Sequence, residues 1–390
     1  MYQIKTYNKI SPVGIQVFDS TKYACGDDVQ APVGAIVRSA ALHEESFPQS
    51  LLAIARAGAG TNNIPVERCA KEGIVVFNTP GANANAVKEL VLMGLLISSR
   101  RVVPALGWAQ GLKGNGAEVG KMVEKGKSAF VGPEIAGKTL GIIGLGAIGA
   151  LVANAAIQLG MKVVGYDPFL SVKAALALSP QVQVVADTKA VYAQADYISL
   201  HVPCNADTKG MICNDSIALM KDGVRILNFA RGELVNSKDL LAALESDKVA
   251  CYVTDFPNDD VLGVEKVVAL PHLGASTPES EDNCATMAAA ELIDYIENGN
   301  ITHSVNLPDA SMPKTDAARI CVIHQNTPEI GNQILSAVAD AGLGVLNMLS
   351  KSKGDYAYTM VDVDTKESAK AESVAAQLQQ AEQIMRVRVV

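Results

Sequence analysis

Leu140-Gly-Ile-Ile-Gly-Leu-Gly-Ala-Ile-Gly149 runs an apolar strand pattern straight into G-x-G-x-x-G, and Asp167 follows eighteen residues after the last glycine. Between them lie a helical stretch and a second strand pattern, Lys162-Val-Val-Gly-Tyr166, which ends at the acid. Each part has a physical task in a Rossmann unit: Gly144 permits the tight turn, Gly146 lets backbone approach a pyrophosphate, and Gly149 lets the helix pack close to the sheet. The helix beyond, opening at Ala147 and Ile148, offers unpaired N–H groups and the positive end of its dipole to phosphates. Asp167 can accept hydrogen bonds from the adenosine ribose. Its charge repels a 2′-phosphate, and Asp167-Pro-Phe-Leu170 supplies no Arg in compensation, so the expected cofactor is NAD rather than NADP. A glycine-rich turn alone is weak support; the flanking strands, helix and distal acid make it specific.

Working outward, strand patterns at 182–185, 197–200, 225–228, 251–254 and 266–270 complete a doubly wound sheet. Upstream, 33–37, 51–55 and 74–77 are short apolar runs bounded by turn residues, a separate βαβ series. Residues 90–101 read as an apolar helix, and 105–137, rich in Gly and Lys, as an exposed excursion. A long helix over 283–298 can return the chain to the first domain. Pro308-Asp-Ala-Ser-Met-Pro-Lys-Thr-Asp316 reads as a linker. The pattern after it is βαββαβ: strand 318–323, helix 329–341, strands 344–350 and 356–363, helix 368–384, strand 386–390.

The 390 residues exceed one ordinary core, and 49% hydrophobic with 19% charged residues is a globular composition. A net charge of −8 leaves no basic footprint for nucleic acid or anionic membrane, so an anionic substrate needs local Arg or Lys. Seven cysteines without a C-x-x-C pair argue for a reducing cytoplasm and against a disulfide framework or a metal site. The N-terminal residues lack a signal-peptide pattern, and the apolar run at 90–97 is too short to span a bilayer.

A bound NAD implies hydride transfer at a carbon bearing oxygen, which needs a proton carrier, a cation and a grip on the substrate. Arg231, in Asn228-Phe-Ala-Arg-Gly-Glu233 just past a strand, faces the ligand crevice of an open α/β sheet and offers a planar fork to a carboxylate. His272, in Pro271-His-Leu-Gly-Ala-Ser276, suits proton exchange near neutrality, although His201 and His324 also lie at strands. A carboxylate from Asp255-Phe-Pro-Asn-Asp-Asp260 can hold the imidazole tautomer; such an acidic loop is as often merely solvated. Arg56-Ala57-Gly58-Ala-Gly60 can nest an anion on backbone N–H groups beside a guanidinium, or be a plain glycine turn.

In order along the chain, R-A-G-A-G-T-N-N-I at 56–64, L-G-I-I-G-L-G-A-I-G at 140–149, H-V-P at 201–203, A-R-G-E at 230–233 and P-H-L-G-A-S-T at 271–277 resemble the D-isomer-specific 2-hydroxyacid dehydrogenases. I-H-Q-N-T-P at 323–328 looks like the start of an ACT domain. The resemblance implies an α/β fold: a Rossmann doubly wound parallel sheet (95–282) inserted in a flavodoxin-like substrate domain (1–94 and 283–308), plus a ferredoxin-like, ACT-like βαββαβ domain (317–390). It implies that Arg231 binds the substrate carboxylate and carbonyl while His272 exchanges the proton. The family's glutamate falls on Asp259, with Asp260 as runner-up. Ala147, Ile148, Asp167, Pro203, Phe229, Ala230 and Gly274 fall at NAD contacts, and Asp255 on the acid facing the nicotinamide carboxamide. Arg56, Ala57, Gly58 and Lys127 fall where a phosphorylated substrate is gripped. The activity so implied is NAD-dependent oxidation of 3-phospho-D-glycerate to 3-phosphohydroxypyruvate, the first step of serine synthesis, in a homo-oligomer. Reduction of hydroxypyruvate or glyoxylate, and non-catalytic NAD sensing, are the rivals. His324 and Asn326 match the effector loop of serine-binding modules, but Gly344 and Glu329 depart from that pattern.

Overall fold

Tyr2–Tyr7 (β1), Tyr23–Gly26 (β2), Gly34–Val37 (β3), Ala53–Arg56 (β4) and Val75–Asn78 (β5) form a parallel sheet of order β2-β1-β3-β4-β5, the flavodoxin-like order. The computed structural model describes residues 1–365 and 368–390, with Lys173 described by its backbone alone. The apolar runs of β3, β4 and β5 are buried throughout but for their last polar residues, as expected of strands covered on both faces. Covering one face is the helix Pro278–Asn298, which buries Cys284, Ala285, Ala288, Ala289, Leu292, Tyr295 and Ile296 at helical spacing. Small residues let it ride close: a Cβ on Gly14 would lie 2.4 Å from that of Ala285.

The strands Thr139–Ile143 (β6), Lys162–Tyr166 (β7), Val182–Val184 (β8), Tyr197–Leu200 (β9), Val224–Asn228 (β10), Val249–Thr254 (β11) and Val267–Ala269 (β12) form a second parallel sheet, ordered β12-β11-β10-β9-β6-β7-β8. This is the doubly wound Rossmann order with one added edge strand. Its register brings six strand ends into one row: Tyr166, Ile143, Leu200, Asn228, Thr254 and Ala269 are successive partners across the sheet. The excursion expected over 105–137 contains the helices Val102–Gln110 and Val119–Gly126, largely exposed, with the Trp108 and Phe130 rings 5.4 Å apart.

Ala318–Gln325 (β13), Val345–Lys353 (β14), Tyr356–Val363 (β15) and Ile384–Val389 (β16) make an antiparallel sheet of order β14-β15-β13-β16, the ferredoxin-like arrangement. The helices Pro328–Asp340 and Ser368–Leu378 cover one face through Ile330, Ile334, Val338, Val374 and Leu378.

The described residues fall into two compact units, Met1–Asn83 with Pro278–Val390, and Ala84–Thr277. The divides differ from those expected at 94/95 and 282/283. Val87, Val91 and Leu95 of the helix Ala84–Ser99 are buried with Leu140, Leu227 and Val253 of the nucleotide sheet, so this helix belongs to that unit. Residues 317–390, expected as a separate domain, belong to the first unit: Cys321, Ile323, Tyr358 and Met360 share one core with Ile4, Phe77 and Tyr295.

Polar contacts weld this join. The carbonyls ending a helix have no intrahelical partner. Here Arg319 donates to the Asn298 carbonyl at 2.8 Å, Arg388 to those of Ile296 (3.1 Å) and Tyr295, and the Tyr358 hydroxyl to that of Gly299 at 2.6 Å. Arg319 is wholly buried and pairs with buried Asp362 through two bonds, Nε–Oδ1 at 2.6 Å and Nη2–Oδ2 at 3.1 Å. Removing one partner of such a pair strands the other charge, so Arg319→Ala should cost about 3–5 kcal/mol in urea unfolding. A loss under about 1 kcal/mol would show that Asp362 escapes to water in the variant.

Glu291, on the same long helix, is buried; Oε1 lies 2.9 Å from His303 Nδ1 and Oε2 has no hydrogen-bond partner. Burial, with Asp309 adding repulsion, pushes its carboxyl up from 4.5 to about 8. The unfolded chain then releases this proton first, so stability drains away as pH rises from about 4.5 to about 8. Glu291→Gln should flatten that slope, read as the difference in urea midpoint between about pH 5 and about pH 8. An unchanged slope would assign the pH dependence to other groups.

Candidate active site

One residue beyond the row of strand ends, the nucleotide unit changes from apolar to chemically equipped. After β6, Gly144 adopts φ +93°, and a Cβ there would lie 2.5 Å from the His201 carbonyl oxygen. A Cβ on Gly149 would lie 1.9 Å from the Gly144 oxygen, so the helix Ala147–Gln158 can sit this close only on glycine. Gly146, by contrast, has open space where a Cβ would be, and it caps the helix without a side-chain bond. Ala147 and Ile148 occupy the first turn, where N–H groups await an acceptor.

Past β7, Asp167 accepts hydrogen bonds from the Leu145 amide (2.9 Å) and the Phe169 amide (2.8 Å), which fixes the carboxylate beside the glycine turn. Each oxygen retains a lone pair for a hydroxyl. Gly144, Gly146, Asp167, Phe169, His201 and Pro203 line one cavity of about 720 Å³. The residues thus fit a dinucleotide: a cradle open at Gly146, an uncapped helix start and a preset acid.

After β10, buried Asn228 builds the loop that carries Arg231. Its Nδ2 donates to the Arg231 carbonyl (2.8 Å) and the Tyr252 hydroxyl (3.1 Å), and its Oδ1 accepts from the Ala230 amide (3.2 Å). The Arg231 side chain is exposed; Nη1 donates to the Ala230 carbonyl at 2.6 Å, and the guanidinium stands 5.5 Å from the centre of the Phe256 ring. Phe229 turns its ring into the core against Gly94. Asn228 was given no role from the sequence. A buried amide closing an apolar strand, three residues before an Arg, was the available signal.

After β11, Asp255 is 1% exposed; Oδ2 accepts from the Gly274 amide at 3.0 Å, while Oδ1 is buried without a hydrogen-bond partner. Burial raises its carboxyl above the ordinary range, against the opposing pull of that amide and of His272. After β12 comes His272, exposed, its ring 4.3 Å from that of Phe256.

The other four histidines are occupied. His201 sits 2.8 Å from the Ser199 hydroxyl, and burial pushes its pKa down to about 4, leaving a neutral ring. His43 bonds the Asn62 carbonyl and His303 meets Glu291. His324 is buried between the Thr359 hydroxyl (2.9 Å) and the Gln325 carbonyl (2.7 Å), and Asn326 donates to the Gly354 carbonyl. Both expected effector residues thus bond within the C-terminal sheet and its adjoining turns.

Asp259 and Asp260 are exposed on the turn after Pro257, and among the described residues no carboxylate forms an ion pair with His272. Lys127 pairs with Glu124 at 2.5 Å on the exposed excursion, with no described contact to Arg231 or His272. In the first unit, the Ala57 amide donates to Val37 and the Gly58 amide to the Arg56 carbonyl, both at 2.8 Å, so neither is free to nest an anion. Gly58 is required there for another reason: at φ +144°, a Cβ would collide with the half-buried Arg56 guanidinium, 1.4 Å away.

The sequence model of the D-isomer specific 2-hydroxyacid dehydrogenase NAD binding domain matches residues 103–274. A Bacillus subtilis D-3-phosphoglycerate dehydrogenase is 32% identical over 352 residues, covering 86% of this chain, which in turn spans only 64% of that relative. The Escherichia coli K12 D-3-phosphoglycerate dehydrogenase is 32% identical over 339 residues, covering 84% of this chain and 79% of its own length. The solved, NAD-bound 3-phosphoglycerate dehydrogenase of Entamoeba histolytica superposes with a TM-score of 0.60 at 26% identity, covering 78% of this chain and 98% of that one. With the Rossmann strand order, the glycine turn and these likenesses together, the chain belongs to the D-isomer specific 2-hydroxyacid dehydrogenase family.

Proposed function

We propose that this chain uses NAD to oxidise 3-phospho-D-glycerate to 3-phosphohydroxypyruvate. The observation that carries the chemistry is that an exposed Arg231 and His272, the one histidine among the described residues with no side-chain hydrogen bond, follow β10 and β12 beyond a single row of strand ends, both beside the Phe256 ring on the loop between them. The choice of substrate rests on the likeness to the phosphoglycerate dehydrogenases.

Gly146 and the first turn of the helix Ala147–Gln158 would hold the pyrophosphate, Asp167 the ribose hydroxyls, and the unpartnered Oδ1 of Asp255 the carboxamide N–H. When bound, NAD supplies the acceptor for the hydride leaving C2 of the substrate. Arg231 pairs the substrate carboxylate and polarises the oxygen on C2 as it becomes a carbonyl. His272 takes the hydroxyl proton through a ring nitrogen that no carboxylate engages. Arg56 is assigned to the phosphate as a charged partner. The exposed apolar side chains of Val103, Leu106 and Val131 support assembly as a homo-oligomer, and seven thiols, none in a disulfide among the described residues, fit the cytoplasm. A reductase of hydroxypyruvate or glyoxylate is the second reading, favoured by the engagement of Lys127 with Glu124.

Loss of NADH absorbance with phosphohydroxypyruvate and with hydroxypyruvate, measured side by side, separates the two. Preference for the phosphorylated ketoacid is expected; preference for hydroxypyruvate would move the chain to the second reading. Arg231→Ala and His272→Ala should each lower kcat by ~100-fold or more, while NADH binding survives. Near-parental rates in both would remove these residues from the chemistry.

A further inference from the structure

The acid expected beside His272 is absent from its ring, yet a proton carrier on an exposed loop needs something to hold its orientation. The side chain that meets it is Phe256. The two ring centres are 4.3 Å apart, with the planes tilted by 45°. The same Phe256 ring has the Arg231 guanidinium carbon 5.5 Å from its centre, inside the ~6 Å range over which a cation is attracted to a π face. One aromatic side chain therefore touches both groups assigned to the reaction.

Its own position is closely determined. Phe256 stands directly after buried Asp255, and its amide donates to the hydroxyl of buried Thr254 at 3.0 Å. Pro257 follows, which restricts the backbone of the preceding residue to extended conformations. The Arg231 loop leaves no slack against it: a Cβ on Gly232 would lie 3.2 Å from the Phe256 carbonyl oxygen and 3.5 Å from its Cβ. A ring anchored in this way can transmit the position of the strand end to two exposed side chains. Its π face also favours positive charge, which Arg231 carries throughout and His272 carries after it accepts a proton.

We propose that Phe256 is the positioning residue of this active site, its ring holding the Arg231 guanidinium and the His272 imidazole in mutual register. The proposal rests on the oxidoreductase reading above, and it predicts that an aromatic face, rather than bulk, is what the position requires.

The test uses the full chain with NADH and compares Phe256→Leu, Phe256→Met and Phe256→Tyr. With phosphohydroxypyruvate, or with hydroxypyruvate if the parent prefers it, Leu and Met should lower kcat roughly tenfold while NADH affinity stays within about twofold. Tyr, which keeps the ring, should hold kcat near the parental value. Parental kcat in both Leu and Met overturns the proposal, and so does a Tyr variant that falls as far as they do. Loss of NADH binding in both aliphatic variants also overturns it, since the ring would then serve the fold rather than the groups it touches. A parent that turns over neither ketoacid sinks the functional reading itself, whereas an active parent with indifferent variants sinks only Phe256.

Discussion

Parallel pairing in the nucleotide sheet is the constraint from which the rest follows. Parallel strands joined by helical crossovers all end at the same edge, and here the register aligns six of those ends to the residue. The next residues along the chain are Gly144, Asp167, His201, Phe229, Asp255 and Leu270. Residues scattered over more than a hundred positions thus become neighbours through backbone hydrogen bonds alone. The side chains have only short distances left to travel, and Asn228, Thr254 and Phe256 fix those last steps. The glycines complete the geometry by removing Cβ atoms where backbone meets backbone, as between Gly149 and the Gly144 carbonyl.

A second dependence runs through the helix Pro278–Asn298. Its apolar face fills the core under the first sheet, and its C-terminal carbonyls are closed by Arg319, Arg388 and Tyr358 from the C-terminal sheet. Cations at a helix C-terminus oppose the negative end of the dipole, and burial strengthens that interaction. The central strands β13 and β15 of the C-terminal sheet therefore have two covered faces, one under the sheet's own helices and one on this shared core. A module built this way contributes to the folding of the unit that holds Arg56, and the expected effector residues His324 and Asn326 are part of its internal bonding.

Much of this was legible in the sequence, and the failures share physical causes. Buried strands announce themselves as short runs rich in apolar residues, so 197–200 in the parallel sheet and 356–363 in the antiparallel one match their strands to the residue. β1 carries no clear strand pattern because Tyr2-Gln-Ile-Lys-Thr-Tyr7 mixes polar and apolar residues, and the edge strand β2 none because it has only four residues, of which Tyr23 alone is buried. The divide, expected at 94/95, falls at 83/84 because an apolar helix does not say which of two cores it fills. Residue types with intrinsic chemistry, Arg231, His272 and Asp255, stood out at strand ends. Asn228 and Phe256 did not, since an amide and a phenyl ring acquire their roles only from what lies beside them. Asp259, with Asp260 as runner-up, comes from counting residues along the resemblance, and such counting does not see that both side chains lie exposed on a turn.

Asp255 carries the electrostatic argument furthest. Its carboxyl is nearly out of water, one oxygen is held by the Gly274 amide, and the other meets no donor. Leaving a buried acceptor unsatisfied costs about 1–3 kcal/mol, so natural folds rarely keep one without a use. Burial and the raised carboxyl pKa both follow from the packing of β11 beneath the loop after β12. On the function proposed above, a chain with a net charge of −8 would recognise its ligands by placed single groups, Asp255 for a donor and Arg231 for an anion, rather than by the field of the whole protein.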